Sequence, residues 1–180
     1  MAHILVVTGS VRPHSVNQKV VPVVIQQLTE KGAEVTVADL AELALPFFDA
    51  PFPPTAPEFA PEHASVQQWT DMVSQADGIV FVTPEYNHTM SPVQLNAVDW
   101  IGKEWENKPI ALVGYGWSTG GSQAHDTARE ALGANLKARV GATPTNLFFM
   151  KDLNPDGSLL DADSVQQKIS ATLDELLQAV

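Results

Sequence analysis

A short loop near the start of the chain combines the residue types that hold a phosphate group. Residues 9–17 read Gly-Ser-Val-Arg-Pro-His-Ser-Val-Asn and stand between an apolar run and a helix-like segment. Backbone N–H groups at a helix start, short hydroxyls and a guanidinium are donors that bind phosphate oxygens in proteins. The loop therefore predicts a site for a phosphorylated ligand, with candidate residues Ser10, Arg12, Ser15, Val16 and Asn17.

Two later loops carry flat side chains, amides and glycines. The first includes Pro84, Glu85, Tyr86 and Asn87, and the second reads Gly-Tyr-Gly-Trp-Ser-Thr-Gly-Gly over 114–121. Glycines let the main chain approach a ligand closely, and aromatic rings offer flat contact surfaces. With the first loop, they predict a site for a phosphorylated planar cofactor. The candidates in the glycine-rich loop are Gly116, Trp117, Ser118, Gly120 and Gly121.

Alternating strand-like and helix-like segments must position these three loops. This alternation indicates an α/β fold with a doubly wound parallel sheet, in strand order 2-1-3-4-5 with helices on both faces. In that order, the loops after strands 1, 3 and 4 meet at one edge. We expect one domain over residues 1–180. The predicted strands are His3–Thr8, Ala33–Ala38, Gly78–Thr83, Ile110–Gly114 and Thr143–Met150, and the predicted helices are 16–31, 64–75, 91–105, 120–139 and from about 161 onward.

Composition limits the classes of partner. The formal net charge is −11, which disfavours broad electrostatic binding to nucleic acid or to an anionic membrane. There is no cysteine, so disulfides, thiolate catalysis and thiolate metal sites are excluded. The chain shows no signal-peptide pattern and no apolar stretch of membrane-spanning length. We therefore expect a soluble cytoplasmic protein without a metal centre.

The loop motifs resemble those of the NADPH-dependent FMN reductase family. That family's phosphate loop, Gly-Ser-x-Arg-x-x-Ser-x-Asn, is matched by residues 9–17. Its second signature is Pro-Glu-Tyr-Asn followed by Asn-Ala-x-Asp-Trp, matched over 84–87 and 96–100. The glycine-rich loop at 116–121 is similar but looser. The resemblance covers about residues 3–150 and includes two specific motifs in the correct order.

The resemblance implies a fold, a cofactor and a reaction. The fold would be a flavodoxin-like three-layer sandwich with a five-stranded parallel sheet. FMN would be the cofactor and NADPH or NADH the hydride donor, with a flavin, quinone, azo compound, metal ion or oxygen as acceptor. The phosphate would lie on Ser10, Arg12, Ser15 and Asn17, and the ring would lie between 84–87 and 116–121. No catalytic side chain is implied, because the flavin carries the chemistry, and a homodimer or homotetramer is expected.

Other interpretations of the same residues stay open at this point. Residues 116–120 fit the Gly-x-Ser-x-Gly pattern of a serine hydrolase with Ser118 as nucleophile, although only His125 follows it and no acid lies between them. A non-catalytic electron carrier, an FMN-binding regulator and a flavin-free phosphate binder are further alternatives. The proline-rich segment 45–61 reads either as a surface loop that packs its phenylalanines on the body or as a lid or subunit contact.

Overall fold

A parallel sheet forms the centre of the computed structural model, which describes residues 1–180. The strand order is β2-β1-β3-β4-β5, and β6 also pairs with β4, so the predicted order and fold class are confirmed. The apolar run of β3 is buried along its whole length, as expected for a strand covered on both faces. The strands are β1 (His3–Thr8), β2 (Glu34–Ala38), β3 (Gly78–Pro84), β4 (Pro109–Gly116), β5 (Arg139–Val140) and β6 (Thr145–Phe148).

Helices cover the two faces of the sheet and complete a three-layer arrangement. One face packs against α1 and α6, whose buried side chains join an apolar cluster of 18 residues. The other packs against α3, α4 and α5 in a cluster of 22 residues. The helices are α1 (Asn17–Glu30), α2 (Leu40–Leu43), α3 (Ala64–Gln75), α4 (Pro92–Asp99), α5 (Ser122–Ala128) and α6 (Ala162–Ala179). None is long and apolar enough to cross a membrane.

The predicted strand at Thr143–Met150 is wrong in extent. Only β6 lies within that range, and it pairs with the end of β4. A separate short strand, β5, precedes it where the helix predicted over 120–139 was expected to end, and pairs with the beginning of β4. Between β5 and β6, the N–H groups of Ala142 and Thr143 donate to the carboxylate of Glu175 on α6, at 2.7 and 2.8 Å. Pro144 has no N–H to donate. The sheet ladder is therefore interrupted between the two strands.

Two predicted helices are also shorter than expected. The helix predicted over 91–105 ends at Asp99, and a 3₁₀ turn follows at Lys103–Trp105. A Cβ at Gly102 would stand 3.0 Å from the carbonyl oxygen of Pro54, so close packing accompanies this break. The helix predicted over 120–139 starts at Ser122, after glycines with positive φ, and continues as a π-helical segment over Arg129–Asn135.

The proline-rich segment 45–61 contains no helix or strand and is tied to α4. The amide of Asn96 donates to the carbonyl of Pro46 at 2.8 Å and accepts from the N–H of Phe48 at 3.0 Å. The indole of Trp100 also donates to Pro46 at 2.8 Å, and its ring lies 4.9 Å from that of Phe48. Part of the family-like motif at 96–100 thus anchors this segment, whereas Phe47 stays exposed.

Candidate functional site

The three loops predicted from the sequence meet at the carboxyl ends of β1, β3 and β4. They enclose a cavity of about 350 Å³, which lies within the size range of small-molecule and cofactor sites. A larger cavity, about 550 Å³, lies beside the proline-rich segment and includes no residue of these loops. The smaller cavity is lined by Ser10, Arg12, His14, Ser15, Val16, Pro84, Glu85, Tyr86, Tyr115, Gly116, Trp117, Phe149, Pro155 and Asp156.

One end of the cavity offers free hydrogen-bond donors and one free positive charge. Helix α1 begins after Val16 with no side chain capping its first turn and no acidic residue in that turn. The N–H groups of Gln18 and Lys19 already donate to the carbonyls of Ser15 and Val16, whereas the N–H of Asn17 has no partner. This free N–H group and the helix dipole favour an anion. Arg12 is exposed and takes part in no ion pair. The hydroxyl of Ser10 is fixed 3.0 Å from that of Tyr86, which joins the first loop to the second.

Asn17 is placed differently from the expectation that its side chain would contact phosphate. It is only 3% exposed and does not line the cavity. Its amide accepts from the N–H of Gly9 and donates to the carbonyl of Val82 at 3.3 Å and to the hydroxyl of Tyr115 at 3.1 Å. Asn17 thus connects the ends of β1, β3 and β4 in the protein interior, outside the cavity lining. It is therefore a positioning residue for the loops.

Gly9 is required by the close approach of β1 and β3. A Cβ at this position would stand 2.4 Å from the carbonyl oxygen of Val82 and 2.5 Å from Cδ of Pro84. Neither atom has room to move, since the first belongs to the backbone and the second to a fixed ring. The glycine that opens the phosphate-loop motif therefore brings the first two loops together rather than contacting a ligand.

Glu85 links the other two loops at the opposite end of the cavity. Its carboxylate accepts from the hydroxyl of Thr119 at 2.5 Å and from the N–H of Gln123 at 3.1 Å. The Glu85 side chain is 7% exposed, and its Oε1 lies 3.6 Å from Nδ1 of His88. The chain turns after Tyr86 through Asn87 and His88, which both have positive φ. Asn87 therefore shapes the exposed tip of the turn and does not line the cavity.

Replacing Glu85 with alanine removes the acceptor for the hydroxyl of Thr119 in the glycine-rich loop and for the N–H of Gln123 on α5. Because each hydrogen bond to a charged group contributes at least about 1.5 kcal/mol, we expect the loss of two to lower the free energy of unfolding by about 3 kcal/mol. Urea denaturation of the apo-protein measures it. The matched variant Thr119→Val loses only one of the two donors and should lose about half as much. An unchanged midpoint for Glu85→Ala would contradict this role.

Three residues of the glycine-rich loop that the sequence predicts in the site do not line the cavity. Ser118 is exposed, and Gly120 and Gly121 are buried in the turn before α5. A Cβ at Gly121 would stand 2.7 Å from the backbone of β4, and its φ is +98°. Both ring nitrogens of His125 lack a hydrogen-bond partner, so Ser118 and His125 do not form the nucleophile–base pair of a serine hydrolase.

The loop after β6 contributes cavity residues that the sequence motifs do not predict. Phe149, Pro155 and Asp156 line the cavity. A Cβ at Gly157 would stand 2.9 Å from the side chain of Val16, so this loop packs directly on the phosphate loop. The sequence predicts a strand over Thr143–Met150, and the loop after a parallel strand in this position emerges at the same edge of the sheet as the other three loops. That topological signal could have identified the loop.

His125 is buried beneath the glycine-rich loop, 1% exposed, and gives the protein an acid-sensitive element. Burial, reinforced by the charge of Arg129, lowers the pKa of His125 from 6.5 to about 4. The unfolded chain therefore binds one more proton than the folded protein between about pH 6.5 and 4. Stability contributed by the neutral imidazole is present above this window and is lost as the pH falls through it.

We expect this histidine to remove about 2 kcal/mol of stability between pH 7.5 and 5. Urea denaturation at the two pH values measures the loss. The variant His125→Leu lacks the titrating group and keeps all other ionisable residues, so its loss should be smaller by that amount. Equal losses in the wild type and the variant would show that His125 does not carry the effect.

Burial also raises the pKa of the Tyr115 phenol, whose hydroxyl accepts a hydrogen bond from Asn17. Tyr115 is therefore neutral at physiological pH and presents its ring, with those of Tyr86 and Trp117, to the cavity. The cavity therefore has the guanidinium of Arg12 and the start of α1 at one end and these aromatic rings at the other. This arrangement fits a cofactor that brings its own chemistry.

Comparison with known proteins agrees with this geometry. The model of the NADPH-dependent FMN reductase family matches residues 2–150. The chain belongs to this family. An NAD(P)H-dependent FMN reductase of Schizosaccharomyces pombe is 33% identical over 83% of this chain and 74% of its own length. A 2-hydroxy-1,4-benzoquinone reductase of Burkholderia is 31% identical over 62% of this chain and 58% of its own length.

Solved structures support the fold of this reductase. The flavoenzyme NAD(P)H:(acceptor) oxidoreductase FerB of Paracoccus denitrificans superposes with a TM-score of 0.76, with 99% of each chain covered. Its sequence is 23% identical, so this similarity bears on the fold alone. The flavodoxin-like three-layer architecture implied by the family resemblance is therefore confirmed, with six strands in the sheet where five were expected.

Proposed function

We propose that this cavity binds FMN and that the protein is an NAD(P)H-dependent oxidoreductase acting on a small electron acceptor. The observation that carries the proposal is the pairing of an anion-binding end with an aromatic end in one cavity. Helix α1 has an uncapped first turn beside the unpaired Arg12, and Tyr86, Tyr115 and Trp117 line the same space. FMN has a phosphate at one end and a planar ring at the other, so the donor set fits its two ends.

Each residue predicted from the sequence has a proposed task, whether it lines the cavity or supports its loops. Ser10, Arg12 and Ser15 bind the phosphate, together with the free N–H of Asn17 that follows Val16 at the start of α1. Pro84, Glu85 and Tyr86 border the ring on one side, and Gly116 and Trp117 border it on the other. Asn87, Ser118, Gly120 and Gly121 shape these loops, and Asn17 holds them from behind.

Bound FMN supplies the chemistry, by taking a hydride from NAD(P)H and delivering two electrons to an acceptor. The protein binds and orients the reactants and limits their contact with water. With a quinone acceptor the balanced reaction is quinone plus NADPH plus H⁺ giving hydroquinone plus NADP⁺. A quinone is the acceptor that we favour, because the Burkholderia relative carries a quinone reductase name and the ring end of the cavity is aromatic.

The proposal includes properties that stay predictions from the sequence. They are one FMN-binding domain over residues 1–180, a homodimeric or homotetrameric assembly and a cytoplasmic location. Sedimentation equilibrium of the purified protein measures the assembly state. A monomer at micromolar concentration would contradict that part of the proposal and leave the reductase activity untouched.

Steady-state kinetics test the proposed function. FMN-loaded protein should oxidise NADPH in the presence of 1,4-naphthoquinone, and double-reciprocal plots at several quinone concentrations should be parallel, as in ping-pong kinetics. A non-catalytic electron carrier or FMN-binding regulator would bind FMN and leave NADPH and NADH unoxidised. The comparison of NADPH with NADH also shows which donor is preferred.

A further inference from the structure

Trp117 is an exposed tryptophan at the mouth of the cavity. It is 63% exposed, whereas the other three tryptophans of the chain are buried. A single large apolar side chain on a surface is ordinary, but this one lines a cavity and belongs to an ordered aromatic group. Its position calls for an explanation in terms of what binds there.

The ring of Trp117 is held in place by a series of contacts that reaches into the core. Its centroid lies 4.7 Å from that of Phe149 at an interplanar angle of 23°, which is a stacked pair. Phe149 in turn meets the ring of Tyr115 edge-on, at 6.4 Å and 86°. Tyr115 is fixed by the hydrogen bond from Asn17. One face of Trp117 is therefore supported, and its orientation is set before any ligand arrives.

The backbone around Phe149 is also fixed. The N–H of Phe149 donates to the carbonyl of Gly116 at 3.3 Å, which ties the loop after β6 to the glycine-rich loop. Asp152, only 2% exposed, accepts from the N–H of Phe148 at 2.9 Å and pairs with the amine of Lys168 at 2.5 Å. These contacts limit the freedom of the stacked pair, which lowers the entropy lost when a ligand stacks on it.

We propose that Trp117, supported by Phe149, forms the surface on which a planar aromatic electron acceptor stacks. This inference rests on the proposed reductase function and names the acceptor class and the residue that selects it. A flat ring on an indole gains from offset stacking and from apolar area removed from water. A small inorganic acceptor gains nothing from such a surface. Trp117 therefore favours quinones with fused rings over compact acceptors.

The test compares two acceptors on FMN-loaded protein. We expect Trp117→Ala to lower kcat/KM for 1,4-naphthoquinone about tenfold more than kcat/KM for ferricyanide, since stacking on an aromatic side chain typically changes affinity by about this factor or more. Trp117→Phe keeps a ring and should recover most of the loss. Met150→Ala is the matched control, because Met150 is a neighbouring exposed apolar residue outside the cavity lining.

A binding measurement gives a readout independent of turnover. Calorimetric titration of FMN-loaded protein with 2-naphthol, a planar compound that NADPH does not reduce, should give a dissociation constant about tenfold higher for Trp117→Ala than for the wild type. An unchanged constant, or equal losses with both acceptors, would overturn the proposal. If the proposed reductase function is wrong, the wild-type protein reduces neither acceptor. The 2-naphthol titration does not depend on turnover, so it still shows whether Trp117 binds a planar ring.

Discussion

Replacing Arg12 with alanine weakens the binding of FMN by about 1.5–3 kcal/mol, a factor of roughly 10 to 150. Arg12 is the one arginine that lines the cavity, in a chain whose formal net charge is −11. No carboxylate neutralises it, so its charge is available to a phosphate. Fluorescence titration of the apo-protein with FMN measures the change.

Riboflavin provides the sharpest control for this result, because it has the same ring without the phosphate. The affinity of the wild type for riboflavin should be much lower than for FMN, and Arg12→Ala should leave it nearly unchanged. Lys103→Ala is the matched charge control, since Lys103 lies on the 3₁₀ turn after α4 and does not line this cavity. Equal losses for FMN and riboflavin would assign Arg12 a role other than phosphate binding.

Replacing Asn17 with alanine lowers the free energy of unfolding by about 2–4 kcal/mol, because it leaves buried hydrogen-bonding groups without partners. The affected groups are the N–H of Gly9, the carbonyl of Val82 and the hydroxyl of Tyr115. Since these groups belong to β1, β3 and β4, the variant also loosens the junction of the three loops. We therefore expect weaker FMN binding as a second, indirect consequence.

Urea denaturation of the apo-protein measures the change in stability, and Gln18→Ala is the matched control. Gln18 is the next residue of α1 but is exposed, so its removal should change the free energy of unfolding by less than about 0.5 kcal/mol. Stability like that of the wild type, combined with a large loss of FMN affinity, would contradict the positioning role. That outcome would restore the interpretation of Asn17 as a direct phosphate ligand.

The sequence predicts the sheet and the meeting of the three loops because these depend on local patterns. The buried run of β3 and the short phosphate loop before α1 are recognisable from residue type and period alone. The N-terminus of α4 is equally local: Ser91 caps it by accepting from Gln94, and Pro92 begins the helix. Such features need no knowledge of distant parts of the chain.

The features that the sequence did not predict depend on distant partners. The split between β5 and β6 depends on Glu175, which lies more than 30 residues away and takes two backbone N–H groups. The direction of the Asn17 side chain depends on Val82 and Tyr115, which the sheet brings beside it. The type of residue at position 17 was informative, but its partners could be identified only from the assembled strands.

Visible absorption spectroscopy shows whether the protein holds FMN and whether NADPH reduces it there. Purified protein is incubated with FMN, desalted and mixed with NADPH in the absence of oxygen, and its visible absorption is followed. We expect the flavin bands to be retained on the protein and to bleach when NADPH is added, and we expect Arg12→Ala to retain less flavin. Bands that are retained but stay unbleached with both NADPH and NADH would contradict the reductase function. A protein that neither retains FMN nor binds it in titration would contradict the site itself.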